Sequence, residues 1–277
     1  TRRLSVIMQI LQSTSILLIV ALGGLLAERS GILNIGLEGM IGAGAFAAIT
    51  TLILGASVPF AIVAGVVTGS VFALLFSLFA LRWRANPFIV GLAMNVLSAG
   101  ALPLLSEIFF ESRGALRPEF DGIGVWPVVG VAAITVATVH LFLYRTVPGI
   151  RLRVAGEQPE WMRAQRVGVN RYRLIGLVGS GIFSGLTGAL LALRIGVYIP
   201  NISAGRGWIA LVIIFLGYRN PYGLAAAALL FGSIEALSVR AQSVLGVPPT
   251  VLLALPYLLT VAAFVSYAAY RRMRLAR

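Results

Sequence analysis

Side chains that commonly carry catalysis are scarce in this chain. There is no cysteine, the one histidine is His140 within an apolar block, and the one aspartate is Asp121. A serine protease needs a serine paired with a histidine, but the Gly-Ser spacing around Ser180 and Ser184 is better explained by helix packing. Clustered metal ligands and a phosphate-binding GxxxxGK[ST] motif are also absent from the sequence. Any ATP that drives this protein must therefore be hydrolysed by another chain.

A few polar residues interrupt the apolar stretches, and these could line a pathway for a solute. Polar side chains inside a membrane are costly and usually face a cavity or another helix. Asn34 and Glu38 would share one helix face if their segment is helical. For each candidate, the alternative is an interhelical hydrogen bond or a loop cap. The candidates are Asn34, Glu38, Asn95, Asn201, Arg206 and Glu235, with Arg206 expected to order the external end.

The chain that carries these residues is too apolar for a water-soluble globule, with 59% of its 277 residues hydrophobic and 11% charged. A block of about 20 apolar residues spans a hydrocarbon layer of about 30 Å. We therefore predict one all-α, polytopic transmembrane bundle over residues 1–277, with about nine spans and a range of about eight to ten. The predicted apolar blocks are 5–27, 38–54, 59–80, 87–106, 126–144, 174–194, 207–217, 221–239 and 250–270.

All 22 basic residues are arginines, and the formal net charge is +13. The arginines lie between apolar blocks, so the charge does not indicate a nucleic-acid partner. Cytoplasmic loops are enriched in Arg and Lys. The richer set of alternate connections contains Arg29, Arg82, residues 145–173, Arg219 and the C-terminal tail. This distribution predicts a multi-pass membrane protein whose C-terminus is cytoplasmic.

Two segments are too short or too glycine-rich to be simple spanning helices. At about 1.5 Å per residue, the block 207–217 would reach only about 16 Å, roughly half the hydrocarbon thickness. Residues 31–44 contain five glycines. Pairs of short or broken helices in distant parts of a chain mark midplane pathways in transporters with internal repeats. We therefore predict short or broken helices near 31–44 and 203–217.

The longest predicted cytoplasmic connection, residues 145–173, contains the signal for a short helix. Pro159 suits the first helical position, and Gly168 is expected to stop the helix. An exposed apolar face on such a helix is typical of a docking surface for another protein. An interfacial helix that rests on lipid headgroups is an equal alternative. The residues that can share this face are Trp161, Met162 and Gln165.

Four stretches together resemble the permease subunits of bacterial ABC importers for simple sugars and nucleosides, within the ribose and branched-chain amino acid type of permease. The nucleoside branch is the more similar. The stretches are ERSGILNIGLEGMIGAGAFAA (28–48), NPFIVGLAMN (86–95), RLRVAGEQPEWMRAQRVGVN (151–170) and SAGRGWIALVIIFLGYRNPYGLAAAALLFGSIEAL (203–237). The similarity covers nearly the whole chain in the right order.

The resemblance implies the fold of a type II ABC importer and a bacterial inner-membrane location. It also implies partners: a second permease (a heterodimer, with a homodimer as the alternative), an ABC ATPase and an extracytoplasmic binding lipoprotein. No cofactor is implied for this chain, because ATP and Mg²⁺ are used by the ATPase. Within residues 145–173 the resemblance implies a coupling helix that docks on the ATPase. The implied coupling residues are Gly156, Glu157, Pro159, Trp161, Met162, Ala164, Gln165 and Gly168.

The mechanism that follows from this resemblance is alternating access, with a nucleoside or simple sugar entering between two permeases near the bilayer midplane. Nucleosides, purine derivatives and pentoses all fit, because selectivity in such importers resides largely in the external binding protein. The main alternative is a secondary carrier or channel in which Glu38 and Glu235 are ion or proton sites. A purely structural scaffold is a third hypothesis, and it would tolerate the loss of both carboxylates.

Overall fold

The computed structural model describes residues 2–245, and the side chains of residues 6–238 within them. The described chain is helical apart from its connections and an isolated bridge between Leu116 and Tyr198. The helices are α1 (Arg2–Arg29), α2 (Leu37–Ile53), α3 (Val58–Ser77, continued by a π-helical turn at Leu78–Arg82), α4 (Pro87–Phe110), α5 (Val125–Arg145), α6 (Val147–Glu157), α7 (Pro159–Ala164), α8 (Val169–Ile195), α9 (Arg206–Leu216) and α10 (Pro221–Leu245).

Within the described residues, six helices are long and apolar enough to cross a membrane, namely α1, α3, α4, α5, α8 and α10. Helices α2 and α9 are apolar but shorter, at 17 and 11 residues. The all-helical prediction is confirmed over this range, and each of the first eight predicted blocks forms a helix. The predicted count of about nine spans is not confirmed, since two helices are short and the block 250–270 lies outside the described residues.

Helices α1, α2 and α8 form the centre of the bundle. Leu17, Leu22 and Leu25 of α1 are completely buried, as is Ile41 of α2. Helices α3, α4 and α5 instead expose large apolar side chains along much of their length, including Val67, Val96 and Ile134. An apolar surface of this extent suits a helix that is solvated by lipid.

Glycines allow α2, α3 and α8 to pack with their backbones in direct contact. Two GxxxG pairs, Gly65/Gly69 and Gly181/Gly185, supply this contact. Gly69 of α3 faces the Gly181 carbonyl, and Gly185 of α8 faces the Gly65 carbonyl. Gly44 of α2 packs against Gly185 from the other side. A Cβ atom at these positions would overlap backbone atoms of the neighbouring helix. Small residues therefore set the spacing of the central helices, as in other membrane bundles.

The helical structure is interrupted between α1 and α2. A short or broken helix was predicted near 31–44, and the interruption lies at the start of that segment. Residues 31–36 are not helical, and α2 begins at Leu37. Gly31 has a φ of +87°, which suits a residue without a Cβ atom. Asn34 therefore lies in the break and Glu38 in the first turn of α2. The expectation that they share one helix face is wrong, because the segment between them is not a helix.

The short helix predicted inside the 145–173 connection is present as α7, and Pro159 is its first residue. The prediction that Gly168 stops this helix is wrong. The helix ends at Ala164, and Arg166 takes the left-handed conformation, with a φ of +57°. Gly168 has an ordinary φ of −69° and instead precedes the first residue of α8. Residues 165–168 form the turn that joins α7 to α8.

Arginines that were predicted to share one side of the membrane meet at one end of the bundle, here called the arginine-rich end. Arg29 at the end of α1 forms an ion pair with Glu157 of α6 at 3.0 Å. Arg219, between α9 and α10, pairs with Glu28 at 2.7 Å. The connections that follow α1, α6 and α9 therefore lie at the same end, as the charge distribution predicts.

Replacing Gly185 by Ala should destabilise the bundle, because the added methyl group would overlap the Gly65 carbonyl of α3. Overpacking of this kind costs about 1–3 kcal/mol, so the thermal unfolding midpoint in detergent should fall clearly. Gly100→Ala in α4 is the control, since no described atom lies within 4 Å of its Cβ position. An equal midpoint for both variants would show that the glycine contacts do not determine the spacing.

Candidate functional site

The N-terminus of α9 is capped by a carboxylate from α2. The backbone N–H of Gly205 donates to Glu38 Oε1 at 2.6 Å, and that of Gly207 donates to Oε2 at 2.7 Å. The first N–H groups of a helix have no partner within the helix, and they attract negative charge. A Cβ atom at Gly207 would lie 2.5 Å from the Glu38 backbone nitrogen, so glycine permits this close approach. Glu38 thus joins two segments that are far apart in the sequence.

The N-terminus of α2 is held in a similar way by an amide from α4. Asn95 Oδ1 accepts the backbone N–H of Gly39 at 2.9 Å, and Asn95 Nδ2 donates to the Ile35 carbonyl at 3.0 Å. Ser98, one turn further along α4, donates to the Gly39 carbonyl at 3.0 Å. These bonds satisfy the backbone where the chain leaves the break and enters α2.

Asn34 stabilises the break itself and is almost completely buried. Its Oδ1 accepts the Gly36 N–H at 2.9 Å, and its Nδ2 donates to Ser180 Oγ of α8 at 2.6 Å. Ser180 in turn donates to the Leu177 carbonyl. Asn34 thus makes both kinds of contact that were considered as alternatives to a pathway role, a hydrogen bond to a neighbouring helix and one within its own connection. Ser180, which was considered as a nucleophile, is part of the same packing contact.

Arg206 and Glu235 form an ion pair between α9 and α10, with less than a fifth of each side chain exposed. Arg206 also donates to the Ile202 and Ser203 carbonyls at 3.4 and 3.3 Å. The second carboxylate oxygen of Glu235 is buried and has no hydrogen-bond partner within residues 2–245. Breaking a buried pair by removing one partner costs more than removing both.

Arg206 is the first residue of α9, at the end of that helix away from the arginine-rich end, and its predicted role in ordering the external end stays a prediction. Helix α9 has 11 residues, so Arg206 is only about 16 Å from the arginine-rich end. Glu235 is about 21 Å along α10 from Pro221. Both distances fall well inside a hydrocarbon layer of about 30 Å. The connection before α9 must therefore enter the bundle from the opposite end.

A cavity of about 160 Å³ lies between α2, α4 and the connection that leads into α9. Glycine, alanine, leucine and proline side chains form the rest of its wall. The cavity therefore combines a carboxylate, amides and hydroxyls in an apolar setting. Its polar lining residues are Glu38, Asn95, Ser98, Tyr198, Asn201 and Ser203.

Three of the six pathway candidates meet at this cavity, namely Glu38, Asn95 and Asn201. Asn34 is buried behind α2, and the Arg206–Glu235 pair lies next to the N-terminus of α9 without lining the cavity. The sequence reasoning missed Tyr198. Its position beside Pro200 and Asn201, in a polar stretch between two apolar blocks, was the available signal.

Helix α9 connects this cavity to the arginine-rich end. Its far end leads to Arg219, whose backbone carbonyl accepts two hydrogen bonds from the Arg29 guanidinium at 2.8 and 3.0 Å. The same guanidinium pairs with Glu157, immediately before the residues that lead into α7. A displacement of α7 can therefore reach α9 through Arg29.

The predicted coupling residues divide into an exposed set and a buried set. Trp161 is 56% exposed, and Ala164 and Gln165 are also exposed, whereas Met162 is 1% exposed. Gly156 packs against the backbone of α1, and a Cβ atom there would overlap the Arg29 carbonyl. The expectation that Met162 shares the exposed face with Trp161 is therefore wrong. Met162 anchors α7 to the bundle because its side chain points inwards.

Comparison with known proteins gives the class of this chain. Residues 6–264 match the family described as branched-chain amino acid transport system / permease component. The guanosine ABC transporter permease protein NupQ of Bacillus subtilis is 33% identical, over 91% of this chain and 88% of its own length. The nucleoside ABC transporter permease protein NupC of Lactococcus lactis is 30% identical, over 88% and 86%.

Among solved structures, an inward-facing conformation of a putative metal-chelate type ABC transporter has a TM-score of 0.51 at 17% identity, covering 93% of this chain and 85% of that chain. This likeness concerns the fold alone. The chain belongs to the family of branched-chain amino acid transport system permease components, and the predicted family is confirmed. It is a membrane-embedded permease subunit of the ABC transporter type.

Replacing Arg206 by Gln should lower the thermal unfolding midpoint more than the double change Arg206→Gln/Glu235→Gln. The single change leaves the Glu235 carboxylate without its positive partner, a loss of about 3–5 kcal/mol for a buried pair. The double change removes both charges and should recover part of that loss. Thermal unfolding of the four variants in a double-mutant cycle measures the coupling. Strictly additive effects would contradict the ion pair.

Proposed function

We propose that this chain forms half of the translocation pathway of an ATP-driven importer for a nucleoside. The importer would contain a second permease subunit, in a heterodimer or a homodimer, an ABC ATPase and an extracytoplasmic binding lipoprotein. It would lie in the bacterial plasma membrane with the arginine-rich end in the cytoplasm. This chain would bind no cofactor, because ATP and Mg²⁺ would be used by the ATPase.

The observation that supports this proposal is a continuous series of contacts. It runs from the polar cavity along α9 to α7 at the arginine-rich end. The cavity offers hydrogen-bond donors and acceptors in an apolar wall, which suits a neutral solute rich in hydroxyls and ring nitrogens. Two of the relatives of 30% identity or more are permeases for guanosine and for nucleosides, which supports a nucleoside over other solutes.

Alternating access requires two states with different contacts at the energy-coupling surface and at the solute site. In the proposed cycle, the ATPase contacts Trp161, Ala164 and Gln165 on the exposed side of α7. Movement of α7 is transmitted from Glu157 to Arg29, and from Arg29 to the Arg219 carbonyl at the end of α9. Helix α9 then shifts against Glu38 and opens the cavity towards the cytoplasm.

The alternative of a secondary carrier uses Glu38 and Glu235 as ion sites. Both carboxylates already have partners in the chain: Glu38 accepts two backbone N–H groups, and Glu235 pairs with Arg206. These contacts favour structural and pathway roles over ion binding. A purely structural scaffold would not require a polar cavity.

Uptake into proteoliposomes tests the energy source. The complex reconstituted with its ATPase, second permease and binding protein should accumulate guanosine only when ATP is supplied on the ATPase side. Glucose serves as the comparison solute. Accumulation by this chain alone, driven by a proton or sodium gradient, would establish the carrier instead. Absence of ATP-dependent uptake by the complete complex, for guanosine and glucose alike, would overturn the importer.

Trp161→Ala should weaken association with the ATPase without destabilising the permease. Trp161 is more than half exposed, and truncation of an aromatic anchor in an interface costs about 2 kcal/mol or more. Copurification of the ATPase with the tagged permease should fall at least about tenfold. Met162→Ala should instead lower the thermal midpoint, because deletion of a buried Met side chain costs about 2–5 kcal/mol.

The matched control is Trp126→Ala. Trp126 is 65% exposed and lies at the opposite end of the bundle, at the start of α5. Its replacement should leave copurification unchanged. If Trp161→Ala and Trp126→Ala copurify equally well, α7 is not the docking surface.

A further inference from the structure

A second cavity, of about 850 Å³, opens at the arginine-rich end beside α7, and Gly168 is the one lining residue with a role proposed above. It lies between the connection that follows α3 and the turn from α7 into α8. Among the residues that the structure describes, no Asp or Glu lines it. Its four charged lining residues are Arg84, Arg163, Arg166 and Arg173. Arg163 already pairs with Glu160. The other three positive charges repel each other, and an anion would relieve that repulsion.

Two of these arginines have the left-handed backbone conformation, which is unfavourable for any residue with a Cβ atom. Arg84 has a φ of +56° and Arg166 a φ of +57°, and they belong to different connections. Such residues cost free energy and persist where the surrounding structure imposes them, often at binding sites. Arg173 adds a donor, because its buried Nε has no hydrogen-bond partner in the described part of the chain. The cavity thus has more donors than the protein itself uses.

The start of α8 adds to the positive potential. Residues 168–170 line the cavity, and no described side chain caps this 27-residue helix at Gly168. The N-terminus of a helix carries a partial positive charge and free N–H groups. Together with the arginines, it favours a ligand with several acceptor oxygens, such as a phosphate.

The rim next to this cavity is strongly apolar. Trp83 is 62% exposed, and Phe88 and Ile89 at the start of α4 are 54% and 63% exposed. Tryptophan is enriched where a membrane meets water. A soluble anion would gain nothing from this rim, whereas acyl chains could lie along α3 and α4. The combination therefore favours an amphiphilic anion.

We propose that the arginine cavity binds the phosphate of an anionic phospholipid, with its acyl chains against the exposed faces of α3 and α4. Arg84 and Arg166 would contact the phosphate directly, and Arg173 would donate from below. The proposal rests on the membrane embedding of the chain and is independent of the transported solute.

Native mass spectrometry of the purified full chain tests this site. Dioleoylphosphatidylglycerol and dioleoylphosphatidylcholine are titrated separately, and the bound fraction of each is measured. The wild-type chain should bind phosphatidylglycerol more tightly than phosphatidylcholine. Arg84→Gln/Arg166→Gln should weaken phosphatidylglycerol binding by roughly tenfold or more, because it removes two charge-assisted contacts. Both side chains are at the surface, so the variant should fold normally.

The control is Arg145→Gln/Arg171→Gln, which removes the same charge from exposed residues at the same end but outside the cavity. It should bind like the wild type. Equal loss in both variants, or no loss in the cavity variant, overturns the site. If millimolar inorganic phosphate displaces all of the bound phosphatidylglycerol, the cavity is a site for a soluble anion and the lipid proposal is wrong. Loss of ATPase copurification with unchanged lipid binding would assign it to a protein interface.

Discussion

The architecture depends on one constraint: backbone N–H groups at a helix start inside a membrane must find partners within the protein. Helices α2 and α9 both start inside the bundle and not at its surface. Water and lipid headgroups cannot satisfy their first turns there. Glu38 provides the acceptors for α9, and Asn95 provides them for α2. These caps explain the intramembrane positions of Glu38 and Asn95.

The capping groups also line the cavity, so in the proposed importer one set of side chains would serve both stability and solute binding. Glu38 and Asn95 hold the two short helices in place while part of each side chain lines the wall. A solute that hydrogen-bonds to them alters the same contacts that position α9. This overlap gives a physical reason for solute binding and helix position to be coupled, and it requires no additional charged residues in the pathway.

Helix α9 suits the role of a rigid connector. It is short and largely buried, and it is held at one end by Glu38 and at the other by the hydrogen bonds from Arg29 to the Arg219 carbonyl. Its neighbours α1 and α2 pack against α8 through completely buried side chains and glycine contacts. Such a core transmits a displacement and does not absorb it.

The sequence by itself predicted the eight apolar helices of the described chain, the arginine-rich end, the two short helices, α7 and the family, because these depend on apolar block length, charge and local motifs. It did not indicate α6, which is not apolar enough to stand out as a block. Tertiary structure alone decided which polar groups meet. Glu38 caps a helix 167 residues away, and Asn34 bonds to Ser180 across the bundle. It also decided that Met162 is buried and that α7 ends without its expected glycine. Contacts between distant segments depend on how close the helices pack, and periodicity along a single chain does not encode that distance.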